Sequence, residues 1–218
     1  MREANNKSKN NPHNANNWIT KLHDNTIPDG QVRQGHKSAH SQYLTPKQKE
    51  TLIKFFHGKT LFRINQVRAG FIDEDEGHCI NCYVEENGQE IDEYLRHAVY
   101  LCPTIIYIRR QILHEFELEL ENIPLNIGCV ILGTNMIGEN RTLNILVNTI
   151  WSLALSMILE QNQLKKVPRA DIIIGQIKDA LNTIIKVKPA SELSICLKTR
   201  NLIRVLNSGF SPHLLDQD

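Results

Sequence analysis

The stretch 79-CINCYVEENGQEIDEYLRHAVYLCP-103 decides how the rest of the chain is read. Its skeleton is Cys79-x2-Cys82, a gap of fourteen residues, then His97-x4-Cys102. Three thiols and an imidazole make a complete four-ligand set, and Zn2+, which takes sulfur and nitrogen donors in a tetrahedron, is the ion that suits it. The two thiolates of C-x2-C share a tight turn and can grip a metal from one side. His97 is expected on a short helix from about Glu90 to Tyr100, with Ile91, Tyr94, Leu95 and Ala98 turned inward and Cys102 just past its end. The competing readings are chance cysteines, a disulfide or a redox pair. Nothing in the first residues resembles a secretory signal, which disfavours a disulfide framework. A redox C-x-x-C belongs in a βαβ context, and none is visible. His78 is a reserve ligand. One structural Zn2+ on Cys79, Cys82, His97 and Cys102 is therefore expected, with no open position left for water.

Upstream, Thr45-Pro46-Lys47-Gln48 has the form of a capping box with proline at the first helical position. The helix it starts is expected to bury Leu52, Phe55 and Phe56 and to stop near Gly58. A second helix is expected from about Lys59 to Ala69, capped by Gly70. Lys59, Arg63 and Gln66 share its polar face, while Arg68 falls on the apolar stripe, where it snorkels or pairs with a carboxylate. Asp73-Glu74-Asp75-Glu76 reads as a solvated acidic loop, because carboxylates adjacent in sequence do not converge on one metal without a special backbone. Residues 1–42 are Asn-rich and polar, with only Trp18 and Ile19 as an apolar anchor, and are expected to be flexible.

Downstream, Pro103 opens a helix to about Leu120 with Ile106, Ile112, Leu113 and Phe116 as candidate core. Thr142 to Leu159 carries no charge and sits at the length threshold of a bilayer span. Asn144, Asn148, Ser152 and Ser156 recur every fourth residue, a polar stripe that favours a soluble core helix. That stripe is expected to be the least buried face, with Trp151 buried on its flank. Pro168 and Pro189 bracket a helix from about Arg169 to Lys186, and Ser191 with Glu192 starts a last helix to Gly209. No convincing run of strand period occurs. The expected fold is all-α: an irregular helical domain around one zinc knuckle at 43–120, followed by a C-terminal helical bundle at 121–218.

The chain of 218 residues is 41% hydrophobic with a net charge of +1, which lacks the blanket basicity of a strong nucleic-acid binder. The charge is unevenly spread. Six basic residues stand against one acid from Thr45 to Gly70, and nine acids stand against no Lys or Arg from Asp73 to Glu93. Cys129 and Cys196 lie in apolar runs and read as buried thiols, which suits a reducing compartment and an intracellular, nuclear or cytoplasmic, location. The chain has no aromatic-x-Asp-Asp polymerase signature, no phosphate-binding G-x-x-x-x-G-K-[ST] loop and no G-x-S-x-G. No glutamate stands two residues after His97, as a zinc deaminase requires. A non-catalytic protein without a small-molecule substrate is expected.

Arg68-Ala69-Gly70 ahead of the cysteines, His97-x4-Cys102-Pro103, the Tyr107-Ile108-Arg109-Arg110 that follows and Ile131-Leu132-Gly133 before a long helix carry a resemblance. In this order they resemble the zinc-binding region at the C-terminal end of non-LTR (LINE-like) retrotransposon reverse transcriptases. The resemblance spans about residues 45–165; the Cys82–His97 gap is long for that family, and Glu160-Gln161-Asn162 stands where an arginine is expected. It implies contact with RNA or DNA. A Cys3His site with Zn2+ is formally −1, and the acidic stretch around it repels phosphate. The expected phosphate contacts are therefore Lys54, Lys59 and Arg63, extended by Arg109 and Arg110. The alternative is a helical scaffold or interaction domain, or a decayed retroelement remnant, without nucleic-acid binding.

Overall fold

The computed structural model describes residues 29–57, 60, 79, 82, 96–118, 127–133, 141–210 and 212. Among these residues there is no strand. Eight α-helices follow in order: α1 (Asp29–Ala39), α2 (Pro46–Phe56), α3 (Pro103–Glu115), α4 (Ile127–Leu132), α5 (Arg141–Gln163), α6 (Ala170–Val187), α7 (Glu192–Thr199) and α8 (Ile203–Asn207). A π-helical turn, His97–Leu101, runs directly into α3. The fold is all-α, as its periodicity predicts. The expected helix over Lys59–Ala69, the acidic loop and most of the expected Glu90–Tyr100 helix lie outside the described residues.

The uncharged run becomes α5, the axis of the molecule. Every residue from Leu146 to Leu159 is buried, because α1, α2, α4, α6, α7 and the π turn all pack around it. A helix that is apolar on all sides needs cover on all sides. α5 is long and apolar enough to cross a bilayer, yet 83% of its most apolar 18-residue window is buried inside this fold. Trp151 is buried, as expected. The polar stripe is the least buried face at three of its four positions, as expected: Asn144 is half-buried and Asn148 and Ser152 are 8% and 7% exposed, while Ser156 is only 2% exposed. Even this face is largely covered by partner helices, and Asn144, Asn148 and Ser152 line an open cleft.

α2 forms as its capping signal demands. The Gln48 amide donates to Thr45 Oγ1 (3.3 Å), and Gln48 Oε1 accepts from the Thr45 amide (2.9 Å). Two of the amides left over at a helix start are thereby satisfied. Leu52, Phe55 and Phe56 are buried against α5 and α1. α1 itself falls within the span expected to be flexible. Gly35 explains how it docks: a Cβ there would lie 2.6 Å from Leu132 Cδ2, so the missing side chain lets α1 seat against α4. Averaging composition over residues 1–42 hides this short packed element.

In α3 the fully buried positions are Ile105, Ile108 and Ile112. Ile112, Leu113 and Phe116 were expected in the core and are there, but Ile106 is half-buried and Ile105 takes its place. The helix stops at Glu115. Glu117 follows in the left-handed region (φ 53°), with Leu118 N–H bonded to Leu113 O at 2.8 Å. The ends of α5 and α7 repeat this pattern, with Lys165 (φ 55°) and Asn201 (φ 55°) at the turning position. The last expected helix is therefore split at Asn201 into α7 and α8.

One continuous hydrophobic cluster runs from Ala39 to Leu206. α3 packs on α6, and a buried ion pair between Glu115 and Lys178 joins them, with Lys178 Nζ also donating to Ser208 O (3.0 Å). Residues on both sides of position 120 contribute to this cluster.

Candidate metal centre

Cys79, Cys82, His97 and Cys102 converge: one ligand atom from each lies within 4.8 Å of all the others. Cys79 Sγ and Cys102 Sγ are 3.9 Å apart. Bonds of about 2.3 Å from a tetrahedral ion to two sulfurs would separate them by about 3.8 Å. A disulfide would hold them at about 2.05 Å, and none of the five cysteines forms one. Cys82 Sγ and His97 Nε2 are 3.1 Å apart, slightly inside the about 3.6 Å edge that such an ion sets. Cys79, Cys102 and His97 are buried and Cys82 is half-buried. Buried thiols and an imidazole sharing one point, with no disulfide, fit a tetrahedral thiolate-preferring ion, and the four lie close enough to hold one.

The backbone explains why His-x4-Cys works here. Five residues along an α-helix turn about 500°, which leaves the two side chains roughly 140° apart. Here the Cys102 amide donates to the His97 carbonyl (2.9 Å), an i→i+5 bond that widens the turn by one residue. His97 and Cys102 thus come to the same side. Pro103 fixes where the turn must end. A residue before proline is pushed out of the helical region, and Cys102 sits at φ −56°, ψ 130°. Proline is then well placed at the first position of α3, where no amide is needed. Cys102 closes the π turn with its N–H and opens α3 with its C=O, which accepts from Ile106 (2.8 Å).

Electrostatics favour the anionic ligand that a metal requires. Cys79 beside it draws the Cys102 thiol down to about 4, against the opposing effect of burial. His97 adds to the shift, as do the amides of Ile105 and Thr104 at the start of α3. Those amides act as dipoles near the sulfur and do not close a capping bond.

Arg109 buttresses this turn from α3. Its Nη2 donates to the Tyr100 carbonyl (2.9 Å), and its guanidinium lies 4.0 Å from the centre of the Tyr100 ring. Burial lowers its pKa, and Arg110 acts in the same direction, while Tyr100 opposes both. Arg109, expected to reach phosphate, bonds the Tyr100 carbonyl of this turn and is half-buried. Arg110 is exposed on the next residue of α3. Lys54 is exposed on α2 and pairs with Glu50 at 2.6 Å, one turn back. Lys59, Arg63 and His78 lie outside the described residues.

The four residues that the sequence nominates as ligands are brought together, while the contact between Arg109 and Tyr100 was not foreseen. The available signal was the spacing itself, since an i,i+5 ligand pair cannot share a face of a regular α-helix. No protein-family model, curated protein or solved structure matches this chain.

Proposed function

We propose that the chain is a non-catalytic, zinc-stabilised helical module that contacts RNA or DNA through basic side chains outside the metal site. The observation that carries the zinc assignment is the convergence of three thiols and one imidazole at tetrahedral spacing. Four protein ligands saturate zinc and leave no place for a reacting water, which supports a structural role. The resemblance to the zinc-binding region of LINE-like reverse transcriptases supports the nucleic-acid assignment. So does the basic balance of residues 45–70.

The scaffold reading is favoured by two observations. Net charge is +1, and two of the five expected phosphate contacts are already engaged, Lys54 with Glu50 and Arg109 with Tyr100. Two measurements decide between them. Metal analysis of the purified chain is expected to return one zinc per chain, lost in Cys82→Ser. Binding to RNA or duplex DNA is expected to weaken steeply with salt. The Lys59→Ala/Arg63→Ala double variant should reduce the log–log salt slope by about two units, one per lost contact. If the double variant binds both polymers as tightly as the parent at low salt, the basic segment is not the contact surface and the scaffold reading stands.

A further inference from the structure

Three of the chain's nine histidines come together where α1 lies against α2. His36 is on α1, His40 stands four residues further on, and His57 caps the end of α2. Residues four apart on a helix share a face. The His36 ring lies 5.7 Å from the Phe56 ring and 5.7 Å from the His57 ring, tilted by 51° and 54°. His36 is half-buried in this contact, while His40 and His57 are exposed. Imidazole is the side chain whose ordinary pKa, about 6.5, places its charge change between about pH 5 and 8.

Among the described side chains no carboxylate is placed to pair with a protonated His36. Glu50 of α2 is engaged by Lys54 at 2.6 Å, and Glu160 of α5 pairs with Lys47. α4 carries no charged residue. Asp29, the one acid of α1, is seven residues back, about 10 Å along the helix axis. The other charges on these elements are cations: Arg33 and Lys37 on α1, Lys49 on α2, and Arg141 on α5, which is held by Glu192. Burial lowers the His36 pKa, and His57 and then His40 lower it further. A proton on His36 is thus opposed by the docked helix and accepted by the released one.

α1 is also the element best placed to let go. Its eleven residues are too few for a stable helix alone in water, so it persists by packing. Its anchors are Ala39, fully buried, and the close fit of Gly35 on Leu132, one residue before His36. α2 has its own hold on α5, so α1 can open while the rest stays folded. Gln34, Lys37 and Ser38 of α1 line the cleft of about 670 Å3 together with Asn144, Asn148 and Ser152 of α5.

We propose that His36, His40 and His57 form a pH-sensitive latch: in mildly acidic solution their protonation releases α1 from α2 and opens the cleft over α5. Above about pH 6.5 the His36 imidazole is neutral whether α1 is docked or released, and docking is unaffected. As pH falls through that value the released helix takes up the proton first, so docking weakens. The loss is complete once the lower pKa of the docked form is passed. The latch rests on neither the zinc nor the nucleic-acid reading.

The test is hydrogen exchange of the full chain at about pH 7.5 and about pH 5.5, corrected for intrinsic rates, with zinc content measured in the same samples. One proton taken up on release shifts the equilibrium by up to about tenfold per pH unit. The α1 amides should therefore exchange about three- to tenfold faster at the acidic pH, relative to those of α2 and the middle of α5. His36→Gln should remove most of that increase. If His36→Gln leaves α1 open at both pH values, the double variant His40→Gln/His57→Gln, at exposed positions, decides. It relieves His36 of two like charges and should reduce the increase. Equal α1 exchange at the two pH values in the parent, or an increase of parental size in either variant, overturns the proposal. So does an increase that tracks zinc loss and is reproduced by a chelator at the higher pH.

Discussion

Arg109 illustrates how a residue type can be legible in sequence while its contacts are not. An arginine next to another arginine on a helix after a zinc motif reads as a phosphate contact. The chain places it where a π turn leaves a carbonyl, Tyr100 O, that it can bond. Groups that hold a ligand-bearing segment in place commonly matter to metal affinity by about 10–100-fold when lost. Arg109→Ala is therefore expected to weaken zinc binding within that range, measured by competition with a chromophoric chelator. Arg110→Ala, one residue further on and exposed, should leave the affinity unchanged. Equal affinities in the two variants would show that Arg109 packs beside the site without supporting it.

At the scale of elements, the legible parts were those with local causes. Thr45 and Gln48 determine the start of α2 between themselves, so the capping box could be seen without any tertiary knowledge. The unreadable parts depend on distant neighbours. α1 is held by the fit of Gly35 against Leu132, almost a hundred residues away, and no local pattern announces it. The burial of the α5 stripe depends on which helices cover it. The phase of α3 slipped because the π turn before Pro103 resets which face meets the core. Helix ends bring a prediction of their own. Lys165 occupies a left-handed position that most side chains adopt at a cost of about 1–2 kcal/mol. Lys165→Gly is expected to recover about 1 kcal/mol, part of the gain being offset by the freer unfolded chain. Chemical denaturation should show a higher midpoint with an unchanged slope; a lower midpoint would mean that the lysine side chain contributes more than its backbone costs.

For the whole molecule, the decisive fact is the single hydrophobic cluster. Nothing local in the sequence reveals that Ile105 and Ile108 share this cluster with α5 and α6. The π turn packs on α5, so emptying the proposed metal site would be felt beyond the turn. Metal binding in small sites of this kind is coupled to folding. Chelation is expected to lower the melting temperature by roughly 10 °C or more, in one cooperative transition monitored by helical circular dichroism. Two separated transitions, with the second unchanged by chelator, would show that the two regions unfold independently.

The cover over α5 also has an order in time. α1, α2, the π turn and α4 precede it in the chain, but α6 and α7 follow it. A ribosome therefore releases a long helix with an uncharged middle, Thr142 to Leu159, before the segments that close its last faces have been made. In that interval the nascent chain displays a surface with the length and hydropathy of a signal-anchor. Holdase chaperones and the membrane-insertion machinery would compete for it until α6 and α7 are in place.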